Sequence, residues 1–342
     1  MSSRIAQDQK VRKMIKDLGL KLGADPILTL LTYCRRRVRA FLENHPYATL
    51  TDILGIVAGK MGTIFIEIHN DEELASIKHE YLSKGEISFA RLEKELGSDV
   101  YGITFRRMSR ERWEREFVSI IDCRGEKGPK SYFTKWHELA HLLTIPSQLE
   151  LKFYRSDVGA SPKDPVEALM DIIAGTLGFS GEIVAGHAEG GISFEKIQGL
   201  REKLCREASF TASLIGFVQG WPTPCLLVEA SLGMKKRERD ELAQGRFDFN
   251  QPPQPVLRAL KITSSEAARR RGLRIHQNMR VPESSVIYRV FYTNADYLED
   301  LEDLSSWESS DGSTLPDYRV IVKAKKFWGK VYALIVPSEY VH

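Results

Sequence analysis

The sequence lacks the features that mark several large classes of protein. Its four cysteines, Cys34, Cys123, Cys205 and Cys225, lie far apart and form no Cys-x-x-Cys pair. This spacing argues against a zinc ribbon and against a disulfide framework. The first 19 residues are polar and charged, without the apolar core of a secretory signal, and no run of about 18 apolar residues follows. We therefore expect a cytoplasmic protein that does not span a membrane.

A strong charge of one sign is also missing. The formal net charge is +3 over 342 residues, which is too small to indicate a nucleic acid or a membrane surface as a partner by itself. Hydrophobic residues make up 42% of the chain and charged residues 28%, as is usual for a globular protein with a sizeable core. A chain of this length has room for two or three domains.

One segment of this ordinary composition carries a chemical motif. Residues 136–143 contain His-Glu-x-x-His, and Thr134 is a suitable N-cap for a helix there. Helical residues four positions apart lie on one face, so His137 and His141 can bind a single metal ion. Glu138 lies about 100° further round the helix, beside the open coordination position, where a general base would stand. The motif therefore predicts a metal centre with a catalytic carboxylate.

A second helix is predicted to complete this centre. Asp164 followed by Pro165 is a favourable helix start, and the apolar stretch 166–174 carries Glu167 and Asp171 four residues apart. Two carboxylates on one face of an apolar helix need partners, because an unpaired buried charge is costly. We interpret Glu167 as the third metal ligand and Asp171 as the acceptor of a ligating histidine's free ring N–H. The alternative is that both carboxylates face solvent.

These two segments resemble the ImmA/IrrE family of zinc metallopeptidases. Phe133-Thr134 before the His-Glu-x-x-His motif, and Glu167, Asp171 and Ala174 in the second helix, match the family's FT-x-x-HE-x-x-H and E-x-x-x-(N/D)-x-x-A segments. The similarity lies within residues 60–180. It departs from the family in two places, where an aromatic residue and a Leu-Met-Pro sequence are usual and Ile172-Ile173 and Leu177-Gly178-Phe179 stand instead.

The resemblance implies a zincin-like peptidase domain in an α+β protein. It implies one Zn²⁺ per chain, with His137, His141 and Glu167 as ligands and Glu138 as the general base. The implied substrate is a helix-turn-helix repressor, whose cleavage would derepress a stress or phage-defence operon. The alternative is a non-proteolytic regulator that binds DNA or a ligand and uses the metal structurally or for regulation.

Three further residues are candidates for supporting roles. Tyr154, in the linker after the metal helix, and His187, in a predicted loop, are candidate hydrogen-bond donors to the transition state. Cys123 follows the predicted strand Phe117–Asp122, and its thiol is a candidate inhibitory ligand at the open zinc position. By resemblance, the CapP-like peptidases encoded beside anti-phage signalling operons have such a cysteine switch. The alternative gives Cys123 only a packing role.

The sequence pattern divides the chain into three domains, over 1–195, 196–250 and 251–342. The resemblance implies that the first is a zinc metallopeptidase domain, the second a helical or helix-turn-helix-like segment and the third a GAF-like sensor domain. Strands are expected in the first of these at Thr63–Ile68, Val100–Arg106 and Phe117–Asp122. We expect the last strand to flank the cleft and to hold an extended peptide by edge pairing.

The remaining expectations concern the two later domains. The segment 196–250 is predicted to be helical, including a helix from Cys225 onward, and we favour a brace over DNA binding because acidic residues interrupt its basic run at 235–239. The last domain is predicted to contain a small mixed sheet with strands at Ser285–Tyr292, Tyr318–Ala324 and Lys330–Val336, and an acidic loop at Asp296–Asp311.

Overall fold

The chain is an α+β protein with two compact units. The first unit comprises Met1–Ser180 and Arg201–Ala212, and the second comprises Gly181–Leu200 and Ser213–His342. The chain therefore passes from one unit to the other three times, after residues 180, 200 and 212, whereas two contiguous domains would need only one such passage. A computed structural model describes residues 2–108, 114–144, 154–156, 164–235, 238–240, 254–309 and 312–340.

A four-stranded mixed sheet lies at the centre of the first unit, in the order β1-β3-β2-β4. β1 is parallel to β3, whereas β2 is antiparallel to both β3 and β4. The three predicted strands are confirmed, but the third lies inside the sheet with both edges paired, so the expected edge pairing of a peptide with it is wrong. The strands are β1 (Thr63–Ile68), β2 (Val100–Arg106), β3 (Phe117–Asp122) and β4 (Tyr154–Ser156).

Alternation along the strands gives this sheet two different faces. Ile103 and Phe105 of β2 point with Val118 and Ile120 of β3 into an apolar cluster that includes residues of α5 (Asp71–Ser83). The opposite face, which carries Thr104, packs against α7 (Ser131–Thr144). The other helices of this unit are α1 (Ser2–Gln7), α2 (Gln9–Asp17), α3 (Pro26–Leu42), α4 (Leu50–Lys60), α6 (Leu92–Glu95) and α8 (Pro165–Gly178).

Helix α7 begins at Ser131, four residues before the start that an N-cap at Thr134 predicts. A 3₁₀ turn, Gly125–Lys130, runs directly into it, so that Ser131 is already helical. Thr134 is consequently inside the helix, where its Oγ1 donates to the Lys130 carbonyl at 2.9 Å, and its expected role as N-cap is wrong. Every residue of α7 except Phe133 is buried, so the motif helix is a core element.

Helix α8 packs against α7 and is held at both ends. Asp164 caps its first turn by accepting from the Val166 N–H at 2.8 Å, as the sequence predicts. At the other end the Tyr132 hydroxyl donates to the Gly178 carbonyl at 2.7 Å. A Cβ on Gly178 would lie 2.8 Å from the Trp136 ring, so only glycine permits this approach of the helices.

One helical stretch in the described part of the chain, Pro165–His187, has the length and composition of a membrane span. Half of its most apolar window is buried within the protein. In α8, the buried residues include Leu169, Met170 and Ile173, which pack in the first unit. We interpret α8 as a core helix.

The second unit contains a five-stranded sheet in the order β6-β5-β9-β8-β7. All four pairings are antiparallel, so the expected mixed sheet is wrong in this respect. Its strands are β5 (Leu226–Gly233), β6 (Val256–Ser264), β7 (Tyr297–Asp303), β8 (Arg319–Phe327) and β9 (Lys330–Pro337). The helices with residues in this unit are α9 (Gly181–His187), α10 (Phe194–Leu204), α11 (Phe210–Gly220), α12 (Glu266–Arg270) and α13 (Val286–Tyr292).

Three predicted elements of this unit are wrong. The helix expected from Cys225 is strand β5, which pairs on both sides and gains its hydrogen bonds from β6 and β9. The strand expected at Ser285–Tyr292 is helix α13, and Ser285 caps its first turn by accepting from the Ile287 N–H at 3.2 Å. The expected acidic loop contains β7, whose pairing with β8 places Glu299 opposite Lys323.

Candidate metal centre

Three predicted ligand residues converge in the first unit. His137 Nε2 lies 3.1 Å from Glu167 Oε2 and 3.2 Å from His141 Nε2, and His141 Nε2 lies 3.4 Å from Glu167 Oε1. Ligands bound at 2.0–2.2 Å in a tetrahedral arrangement lie about 3.3 Å apart. The two histidine nitrogens and the Glu167 carboxylate, one oxygen of which lies near each nitrogen, therefore have the spacing that one tetrahedral metal ion requires, and the three residues form a candidate metal-binding group.

Asp171 takes the position expected of a residue that orients a ligand. Its Oδ1 lies 2.9 Å from His137 Nδ1. An ionised carboxylate only accepts hydrogen bonds, so Nδ1 carries the proton and Nε2 presents its lone pair to the centre. Both histidines are fully buried, whereas the side chains of Glu167 and Asp171 are 23% and 31% exposed. The centre is therefore open to solvent on its carboxylate side.

The electrostatics of this group favour a bound cation. Burial, together with the nearby His137, lowers the pKa of His141 to about 4. Burial alone would raise the pKa of Glu167, but hydrogen bonds with His137 and His141 hold it well below its usual range. Burial alone would lower the pKa of His137, but its hydrogen bonds with Asp171 and Glu167 outweigh burial and raise this pKa. Buried lone pairs and an ionised carboxylate thus face one point.

Glu138 is fully buried, and a side chain of the sheet donates a hydrogen bond to its carboxylate. The Thr104 hydroxyl donates to Glu138 Oε2 at 2.6 Å, Thr104 Oγ1 lies 2.7 Å from Ser119 Oγ, and Ser119 Oγ lies 3.2 Å from Thr63 Oγ1. This chain of hydroxyls crosses three strands and ends on the carboxylate. Gly102 provides the space, since a Cβ there would lie 3.1 Å from Glu138 Oε1.

Sequence reasoning missed these supporting residues, although a signal for them was present. In β2, the small or polar Gly102 and Thr104 alternate with the apolar Ile103 and Phe105. A buried strand with one polar face indicates that this face meets a polar group. That group is Glu138.

The structure does not place Tyr154 or His187, the two candidate hydrogen-bond donors to the transition state, at the metal centre within the residues that it describes. The backbone of Tyr154 lies in β4, opposite Ile103, and its side chain is outside the described part of the structure. His187 belongs to the second unit and ends helix α9, where a loop was expected, with Nδ1 3.0 Å from the Ile183 carbonyl oxygen. Their roles stay predictions.

Cys123 lies in a different group from the His137 centre. Its Sγ is within 4.8 Å of ligand atoms of Glu67 and His69. Burial and the negative charge of Glu67 raise the pKa of the Cys123 thiol to about 12, although Lys135 opposes this. The inhibitory role of Cys123 at the His137 centre stays a prediction.

No known protein family matches this sequence, and no curated protein is significantly similar to it. The fold and the site define the chain as an α+β protein with a candidate metal centre formed by His137, His141 and Glu167. Its function is therefore inferred from this geometry and from the motif that produces it.

Proposed function

We propose that this protein is a zinc-dependent endopeptidase. The observation that carries the proposal is the close approach of His137, His141 and Glu167, whose nearest nitrogen and oxygen atoms are 3.1–3.4 Å apart, with the buried Glu138 next to His137 in helix α7. A structural metal needs no such carboxylate beside it. A hydrolytic centre does need one, because the attacking water must lose a proton.

The donor set fits zinc. Two imidazoles and one carboxylate are the ligands of many catalytic zinc sites, and they leave one coordination position open. Zinc bound there would polarise the scissile carbonyl and make a water molecule acidic enough to lose its proton near neutral pH. His137, His141 and Glu167 would hold the ion, and Asp171 would hold the His137 ring in the orientation that binding needs.

In this mechanism Glu138 transfers the protons, and Thr104 and helix α7 position the reacting groups. Glu138 accepts a proton from the attacking water and returns it to the leaving amine. Thr104 holds Oε2 of this carboxylate, so Glu138 is kept in one orientation while the proton moves. The 14-residue helix α7 fixes both ligands and base on one rigid element, as a preorganised centre requires.

We further propose, from the resemblance to the ImmA/IrrE family, that the substrate is a helix-turn-helix repressor encoded near this protein. One cut would inactivate the repressor and release a stress or phage-defence operon. The exposed edges of Glu167 and Asp171 support access of a peptide to the centre from this side.

The test is cleavage of the neighbouring repressor by zinc-loaded wild type and by Glu138→Gln. Wild type is expected to cut the repressor at one position, identified by mass spectrometry. Glu138→Gln is expected to keep its metal and to cut about 10²–10⁴-fold more slowly, which is the contribution of a general base. Glu72→Gln, the same change at an exposed position of α5, is the matched control. Equal cleavage by Glu138→Gln and wild type would refute the proposed role, and metal-loaded wild type that binds DNA without cutting would favour the regulator.

A further inference from the structure

A second group of metal-ligating side chains lies in the first unit, at the ends of β1 and β3. A carboxylate oxygen of Glu67, an imidazole nitrogen of His69 and the Sγ of Cys123 are within 4.8 Å of one another. The proposed peptide hydrolysis uses none of these three residues. We propose that they form a second metal site, which binds a borderline divalent transition ion of the zinc, cobalt and nickel class.

The main chain fixes the positions of the three residues. β1 and β3 are paired in parallel up to Ile68 and Asp122, so their carboxyl ends lie side by side. The Cys123 N–H donates to the Ile68 carbonyl at 2.8 Å, and the His69 N–H donates to Glu73 Oε2 at 2.7 Å. The site therefore requires side-chain rotation only.

The distances are short enough for such a rotation to close the site. Bond lengths of about 2.0–2.3 Å in a tetrahedral site place oxygen, nitrogen and sulfur ligands about 3.3–3.6 Å apart. Cys123 is buried, whereas the His69 side chain is exposed and has room to move. The imidazole can thus supply the remaining movement of about 1 Å.

The chemistry of the donors selects the class of ion. A thiolate and an imidazole favour zinc and its neighbours in the transition series, whereas magnesium and calcium prefer oxygen ligands throughout. On binding, the S–H bond of Cys123 breaks, a sulfur–metal bond forms and the proton passes to the solvent. The thiolate and the Glu67 carboxylate then balance the two positive charges of the ion.

A lysine already places positive charge beside this group. The Lys135 ammonium lies 3.1 Å from Glu67 Oε1 and 3.1 Å from Glu207 Oε2. A metal ion would compete with this ammonium for Glu67, but Glu207 keeps Lys135 paired when Glu67 turns to the metal ion. The lysine does not have to be left without an anion for the second site to fill.

The test is the absorption spectrum of the full chain during titration with Co²⁺. A cobalt–thiolate bond gives a charge-transfer band in the near ultraviolet, and the His137 centre presents only nitrogen and oxygen donors, so this band reports the second site. Wild type is expected to show the band. His69→Ala, a change at the surface, is expected to raise the cobalt concentration needed for half saturation by about 10–100-fold or more. Loss of a residue that only supports a ligand already weakens metal binding by about 10–100-fold. His79→Ala, another exposed histidine of this unit, is the matched control and should leave the titration unchanged.

Two more variants separate this site from the His137 centre. Cys123→Ser is expected to abolish the band, while Cys34→Ser and His137→Ala keep it. Three results would overturn the proposal: no band in wild type at saturating cobalt, an unchanged titration in His69→Ala, or loss of the band in His137→Ala. The last result would mean that the thiol binds at the His137 centre instead. None of these results depends on whether the protein cleaves a peptide.

Discussion

The carboxylate of Asp171 contacts His137 Nδ1 at 2.9 Å and so directs the other ring nitrogen toward Glu167. We predict that Asp171→Asn weakens metal binding by about 10–100-fold, because an amide accepts this hydrogen bond less strongly than a carboxylate. Competition with a chelator measures the change, and circular dichroism checks that the fold is kept. Glu72→Gln provides an exposed control. An unchanged affinity would leave Asp171 as an ordinary surface carboxylate.

Thr104 acts on the second key carboxylate, and its hydroxyl lies 2.6 Å from Glu138 Oε2. Thr104→Val keeps the shape of the side chain and removes this donor. A hydrogen bond to a charged group contributes about 1.5–3 kcal/mol, so we predict a fall in kcat of about 10–100-fold with unchanged KM and metal content. Thr104→Ser should restore the rate. A valine variant with normal kcat would show that Thr104 does not position Glu138.

At this scale the sequence predicts the residues that share a helix and, from the chemistry of the motif, the meeting of the two helices, but it misses the contact of Glu138 with the sheet. His137 with His141, and Glu167 with Asp171, are each four positions apart, so helical geometry alone places them together. The contact of Glu138 with Thr104 joins residues 34 positions apart and depends on the packing of α7 against β2. The alternation in β2 indicates that one face of this strand meets a polar group, but local spacing does not identify that group as Glu138.

At the scale of elements, the approach of α7 to β2 depends on Gly102. A Cβ there would lie 2.7 Å from Thr134 Cγ2 and 3.1 Å from Glu138 Oε1. We predict that Gly102→Ala lowers the free energy of unfolding by about 1–3 kcal/mol, as overpacking does, and lowers peptidase activity by displacing Glu138. Urea denaturation and a cleavage assay measure the two effects. Gly97→Ala is the matched control, because a Cβ there meets nothing within 4 Å, and equal stability of the two variants would contradict the prediction.

Ion pairs with a buried carboxylate stabilise the end of β3. Asp122 accepts hydrogen bonds from Arg124 at 2.9 Å and from Lys127 at 2.6 Å. Burial alone would raise the pKa of Asp122, but these two cations hold it below its ordinary value of 3.8. The unfolded state therefore binds the proton more readily, so the stability that Asp122 contributes is complete above pH 3.8 and is lost as the pH falls below it.

We therefore predict that Asp122→Asn destabilises the protein at pH 7 by about 1.5–3 kcal/mol, the scale of hydrogen bonds to charged groups. The difference from wild type should narrow as the pH falls below 3.8, where wild type also loses its charge at this position. Urea denaturation at several pH values measures both. A difference that stays constant into strong acid would contradict the assignment to ionised Asp122.

Element types were predictable where local pattern and packing agree. The apolar strands β1 to β3 are flanked by polar segments and were predicted with correct bounds. The apolar segments that became β5 and α13 suit either a helix or a strand by composition. β5 is a strand because β6 and β9 pair with it, and α13 is a helix because its buried Val286, Ile287 and Val290 share one helical face against β8. Long-range packing decided both.

At the scale of the whole molecule, the order of the chain and the grouping of its residues differ. The predicted domains are contiguous, with boundaries at 195 and 250, whereas the compact units exchange the segments 181–200 and 201–212. Within the first unit this exchange brings Glu207 to Lys135, two residues before His137. Sequence patterns do not predict this contact, because Lys135 and Glu207 are 72 positions apart.

The central claim is that one metal ion binds at His137, His141 and Glu167. The most direct measurement is anomalous diffraction at the zinc absorption edge from crystals of the full chain grown with zinc. We predict a peak within about 2.0–2.2 Å of His137 Nε2, His141 Nε2 and a carboxylate oxygen of Glu167. Zinc-replete crystals with no peak at this position, and with the three side chains directly hydrogen-bonded to one another instead, would contradict the claim.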